Sequence, residues 1–162
     1  QLNLDFTDYV SALGGDITGQ SYEFYGNKPF TFGRTTVVLG ARFGATDNLN
    51  YDFMGPFKLG GLFNLSGYPL NSLVGQNQVL GRAVVFHRMG QDAPIINLPI
   101  YVGGSLEFGN IYNTLDDFSI GSLHTAFSGF VAIDTPIGPA YFAYGHAGGN
   151  NNAIYLIIGR VF

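Results

Sequence analysis

The chain of 162 residues holds 24 glycines, 15 phenylalanines and 10 tyrosines, and is 46% hydrophobic but only 11% charged, a balance unlike that of a helical or an ordinary soluble domain. Seven basic against eleven acidic side chains give a formal charge of −4, which argues against a nucleic-acid partner. The absence of cysteine excludes disulfide frameworks, Cys-based zinc sites and thiol nucleophiles.

No run of residues approaches the ~18 apolar positions of a transmembrane helix. Gln1 to Asp5 lacks the basic stretch, apolar core and small-residue cleavage site of a signal peptide. The apolar residues instead alternate. In chain order, period-two patterns predict strands near 2–12, 17–26, 30–45, 57–67, 77–89, 98–112, 121–133, 137–147 and 153–162. Over 30–45, Val37, Leu39, Ala41 and Phe43 oppose Arg34, Thr36, Gly40 and Arg42, so two arginines are expected on one face. Over 57–65, Phe57, Leu59, Gly61, Phe63 and Leu65 oppose Lys58, Gly60, Leu62 and Asn64. Over 100–109, Ile100, Val102, Gly104, Leu106 and Phe108 oppose Tyr101, Gly103, Ser105, Glu107 and Gly109. Turns are expected at Gly14-Gly15-Asp16, at Gly26-Asn27-Lys28-Pro29, at Asp134-Thr135-Pro136-Ile137-Gly138-Pro139 and at Gly148-Gly149-Asn150-Asn151-Asn152.

Strands of about ten residues suit a tilted crossing of a bilayer better than the five or six usual in soluble sheets. With so few charges, the pattern predicts an all-β fold: an antiparallel transmembrane β-barrel with about eight or nine strands in this chain, as one segment over 1–162. A soluble lipocalin-like barrel that binds an apolar ligand alternates in the same way and stays open as an alternative.

Specific strings then carry a resemblance. Gly60-Gly61-Leu62-Phe63-Asn64-Leu65-Ser66-Gly67-Tyr68, with Leu73-Val74-Gly75-Gln76 after it, resembles a strand end and the long inward-folding loop of the BamA, TamA and FhaC-like transporter (bacterial surface antigen) superfamily. The resemblance implies that Leu65, Ser66, Gly67 and Tyr68 form the inward loop motif, with serine where the family has arginine. It implies that Glu107, within Ser105-Leu106-Glu107-Phe108-Gly109, is the loop-facing acidic strand residue, although Ser105 stands at an aromatic position. The turn Asp134, Thr135, Pro136, Ile137, Gly138 and Pro139 resembles the family's Thr-Pro-Ile-Gly-Pro turn, and Gly159 to Phe162 resembles its C-terminal assembly signal. The resemblance covers 57–162; residues 1–56 follow by pattern only.

Within the superfamily, the arginine-free loop is most similar to the barrel of patatin-like phospholipase type Vd autotransporters, the PlpD-like group. That resemblance implies a bacterial outer-membrane anchor and export barrel for an upstream lipase and linker domain, with the lipid bilayer and the barrel-assembly machinery as partners and no cofactor. About half of a sixteen-stranded ring is then expected here, completed by further strands or by a second copy in a homodimer. The alternative within the superfamily is a polypeptide transporter or insertase, which needs the missing arginine.

No catalytic residue is expected: Gly-x-Ser-x-Gly is absent, and Gly103-Gly104-Ser105-Leu106-Glu107 breaks it at its last position. His87, His124 and His146 fall on separate strands without ligand spacing, so no metal site is expected. Arg82 and Arg88 are candidate partners for Glu107, and Lys58, Asn64, Arg34 and Arg42 would polarise a lumen. Tyr68 would either cap the loop inside the barrel or sit in an aromatic girdle. Arg160 would snorkel to the membrane interface.

Overall fold

The computed structural model describes residues 2–9, 19–47, 55–89, 98–159 and 161. The long strands are β1 (Leu2–Tyr9), β2 (Gly19–Phe32), β3 (Thr35–Asp47), β6 (Asn77–Arg88), β7 (Ile100–Tyr112), β8 (His124–Thr135), β9 (Gly138–Ala147) and β10 (Asn151–Ile158). They form one antiparallel sheet in the order β1-β2-β3-β6-β7-β8-β9-β10, each strand beside its neighbour in sequence apart from an insertion between β3 and β6. Two three-residue strands within that insertion, β4 (Phe57–Leu59) and β5 (Leu73–Gly75), pair with each other. The sheet is open: β1 and β10 lie at opposite ends of the order and do not pair.

Register assigns the side chains to two faces, because alternate residues point to opposite sides of a strand. Arg82 lies opposite Glu107 and Gly40, Ser105 opposite Ser128 and Val84, and Tyr141 opposite Ala132. Those residues share the face that bears the inserted loop. The bare face presents Leu39, Phe43, Val85, Leu106, Phe108, Phe127, Val131, Phe142, Ile154 and Leu156, all exposed, with Phe142 at 61% and Leu156 at 78%. Alternation in 100–109 divides as the sequence indicates, with the Gly-Ser-Glu side beneath the loop.

Three sequence expectations are corrected here. β2 continues through Gly26-Asn27-Lys28-Pro29, and the chain reverses instead at Gly33-Arg34, where Gly33 takes a φ of 61°. Pro29 is tolerated because the pairing of β1 with β2 ends at Leu2 and Gly26, so the missing proline N–H faces no described strand. Arg34 therefore sits in an exposed turn and does not share the face of Arg42.

The strand expected over 57–67 stops at Leu59. Positive φ at Gly60, Gly61, Phe63, Leu65, Gly67 and Asn71 breaks the extended path. A side chain on Gly60 would meet the Pro69 carbonyl at 2.3 Å, so the loop closes on itself only with glycine there. The alternation in this segment has another origin: Leu62, Phe63 and Leu65 are all buried, because a loop packed against a sheet hides side chains of both parities.

At the other end, β8 and β9 are joined through Pro136-Ile137 alone, with Thr135 Oγ1 donating to the Gly138 carbonyl at 2.5 Å. The expected Gly14-Gly15-Asp16 turn, Arg160 and Phe162 lie outside the described residues.

Candidate functional site

The site is the seat of the inserted loop. Residues 60–72 form a compact turn held by its own backbone: Gly60 N donates to the Asn64 carbonyl at 2.7 Å, Gly61 N to that of Tyr68 at 3.1 Å, and Asn71 N to that of Gly60 at 3.3 Å. The turn reaches the sheet at four places.

The first is Glu107, fully buried in the middle of β7. Its carboxylate accepts from Ser66 N and Ser66 Oγ, both at 2.7 Å, and from Ser105 Oγ at 2.5 Å. Ser105 is in turn 2.5 Å from Ser128 Oγ on β8. A buried carboxylate is costly unless its lone pairs are satisfied, and three short bonds do that here. Ser66 Oγ also accepts from Phe63 N at 3.0 Å, so one serine ties the loop to itself and to the sheet.

The second is Arg82 on β6, the cross-strand neighbour of Glu107. Its guanidinium donates to the Phe63 carbonyl of the loop at 2.9 Å and to Asn27 Oδ1 on β2 at 2.8 Å. Val84 and Phe86 share its face, packed beneath the loop, which is why apolar neighbours and an inward arginine coexist on this strand. Gly40 makes room for it: a Cβ there would lie 2.7 Å from Arg82 Nε. Arg88 is exposed and remote in register, opposite Tyr101.

The third is Tyr155 on β10. Its hydroxyl accepts from Gly67 N at 2.8 Å and donates to the Tyr68 carbonyl at 2.9 Å. Gly67 lies against the β9–β10 turn, where a Cβ would come within 2.5 Å of Ala147 N, and a Cβ on Gly145 would meet Gly67 N at 2.6 Å. Two glycines face each other so that backbone can lie on backbone. The fourth contact is aromatic. The Phe63 ring stands edge-on to Phe130 and Tyr141, with centroids 5.1 and 6.2 Å apart.

The sequence-predicted loop residues and Glu107 are thus brought together. Leu65 is buried with Leu59, Leu80, Ala126 and Ala147. Tyr68 turns toward the loop-bearing face, its ring tilted against His124 and its hydroxyl 3.2 Å from His124 Nδ1, not out among the exposed apolar residues. Arg42 pairs with Glu23 at 3.5 Å, and Gln78 donates to the same carboxylate at 2.8 Å, extending the polar face toward β2. Asn64 is half-buried in the loop and Lys58 is exposed. The turn at Asp134 to Pro139 lies at the opposite end of the strands from the loop's entry, beside Gly159, whose N–H donates to the Pro139 carbonyl at 2.8 Å.

The contribution of Tyr155 is absent from the sequence reading. Its one available signal is a single phenol between Ala153 and Ile157 on a strand whose other face carries Ile154, Leu156 and Ile158. Among the described residues, no group of three or more His, Asp or Glu side chains is placed to hold a metal. His87 contacts Thr35 at 2.9 Å and His146 contacts Asn152 at 2.7 Å, far from one another in register.

Comparison with known proteins finds no matching protein family and no matching curated sequence. The family resemblance rests on the residue strings quoted above.

Proposed function

We propose that this chain is part of a bacterial outer-membrane β-barrel of the BamA and FhaC-like kind, closest to the barrel of patatin-type autotransporters, and that it anchors and exports an upstream lipase passenger. The reading is supported above all by the inversion of its faces. Large apolar side chains crowd the bare face of the long strands, while the opposite face carries Glu23, Arg42, Arg82, Glu107 and a folded-in loop. A lipid-facing exterior and a polar, plugged interior demand that distribution.

Two further features agree with it. The tight turns at Gly33-Arg34 and Pro136-Ile137 share the end at which β10 finishes, with the longer β6–β7 connection over 89–99, and the inserted loop enters from the other end, as a long outer loop would. The free edges of β1 and β10 need partners in lipid, since each unpaired backbone group there costs several kcal/mol. Further strands or a second copy would supply them. The segment itself anchors and conducts, and the hydrolytic chemistry belongs to the passenger.

The deciding experiment dilutes denatured chain into buffer with and without phospholipid vesicles, then assays protease protection and heat-modifiable gel migration. Folded, protected material only in the presence of vesicles is expected. A monodisperse, β-rich chain in amphiphile-free buffer would overturn the membrane reading.

A further inference from the structure

Below the loop, toward the Pro136-Ile137 end, the loop-bearing face holds a partly open cavity of about 210 Å³. Four of its walls are aromatic: Phe86, Tyr101, Phe130 and Tyr141. They stand in two pairs, Phe86 with Tyr101 at 5.8 Å and an interplanar angle of 84°, and Phe130 with Tyr141 at 6.0 Å and 57°. Gly103 lies between the pairs, since a Cβ there would strike both the Phe130 ring tip at 2.6 Å and Phe86 Cβ at 2.8 Å. The glycine lets the rings converge. Phe63 of the loop packs edge-on against Phe130 and Tyr141.

The remaining polar element is Asp134, on the lining and exposed. Among the described residues, no arginine, lysine or histidine lines the cavity and the Asp134 carboxylate makes no ion pair. Aromatic faces are electron-rich, and rings gathered around a space of this size attract a cation that is too weakly hydrated to prefer water. A carboxylate at the mouth adds the opposite full charge. An apolar ligand would gain nothing from that acid.

We infer that the Phe86, Tyr101, Phe130 and Tyr141 cage with Asp134 at its rim is a binding site for an organic cation, of the size of a trimethylammonium or guanidinium group. The group can come from a choline-type headgroup or from a basic side chain, and the two sources share the recognition chemistry. The site is independent of the barrel reading, because its walls are the same whether the bare face meets lipid or not.

The test uses the full chain in uncharged maltoside micelles, with binding followed by saturation-transfer NMR on the small molecule. The probes are choline, acetyl-arginine amide, and 3,3-dimethylbutanol, the uncharged carbon isostere of choline. At least one cation is expected to bind saturably, at least tenfold more tightly than the isostere. Binding of choline alone assigns a headgroup source, and binding of the arginine amide alone assigns a polypeptide source. Equal affinity for choline and its neutral isostere, or no saturable binding by either cation, overturns the proposal. Asp134→Asn, at an exposed position where folding is not at stake, is expected to weaken cation binding about tenfold and leave the isostere unaffected. Tyr141→Leu should weaken the cations severalfold, and unchanged affinity in both variants would likewise overturn the assignment.

Discussion

The two faces of this sheet obey opposite rules. On the loop-bearing face glycine is a fitted part: Gly145 and Gly67 touch through their backbones, and Gly40 accommodates the Arg82 side chain. On the bare face some glycines are unconstrained, for a Cβ on Gly81 or Gly129 would meet nothing within 4 Å, although one on Gly104 would meet the Ser128 carbonyl at 2.8 Å. Polar groups divide likewise, with Glu107 fully buried while Leu106 and Phe108 beside it are exposed. In an ordinary soluble sheet the hidden face is apolar and the open one polar. Here the close-fitted contacts are concentrated where the loop sits, and the bare face is what the proposed membrane reading would turn toward lipid.

The sharpest way to break this contrast is Gly145→Val. The added carbons fall on Gly67 N and Ser66, and the loop has no slack, so a loss of about 3 kcal/mol or more in unfolding free energy is expected, read by denaturant titration of the folded fraction. Glu107→Ala comes next. It leaves Ser66 N, Ser66 Oγ and Ser105 Oγ without their acceptor and should cost about 2–3 kcal/mol, whereas Glu107→Gln keeps one acceptor oxygen and should cost about half as much. Equal stability of both variants with the parent would show that the loop does not depend on this carboxylate.

Leu106→Arg probes the other side of the same strand. If the bare face lies in lipid, folding into vesicles should weaken by roughly 2–4 kcal/mol, and a change below about 0.5 kcal/mol would point to water on that face. The smallest effect is expected for Gly129→Ala, where open space and ordinary backbone angles predict no loss, and a gain of up to about 0.5–1 kcal/mol from the stiffer unfolded chain.

The strands were largely legible because period two survives wherever one face is apolar and the other small or polar, as Ile100 to Phe108 against Tyr101 to Gly109 illustrates. Legibility failed where tertiary contacts override local chemistry. Gly26 to Pro29 has every mark of a turn, yet Asn27 is bonded to Arg82 across the sheet, and Pro29 pairs with Val38 of β3 where the β1 side of β2 has no described neighbour. Alternation from Phe57 to Leu65 persists through a loop, since burial from two sides imitates a strand. The site was legible in part. The family resemblance alone set the loop motif of Ser66 toward Glu107, and Arg82 could not be oriented on a strand that also carries Val84 and Phe86. Tyr155 offered only an isolated hydroxyl, because a bond to a backbone amide leaves no mark on the residue that supplies the amide.

The bond between Gly67 N and Tyr155 joins residues 88 positions apart, and the same hydroxyl holds the Tyr68 carbonyl. Contacts of such separation are costly in chain entropy, since the intervening chain surrenders freedom when the loop is closed. The hairpin of β9 with β10 lies directly against Gly67, so loop and hairpin pack backbone to backbone. An unseated loop would leave the Tyr155 hydroxyl without the Gly67 amide and the Tyr68 carbonyl, so β10 is tied on its loop-bearing side to a segment that is distant in sequence.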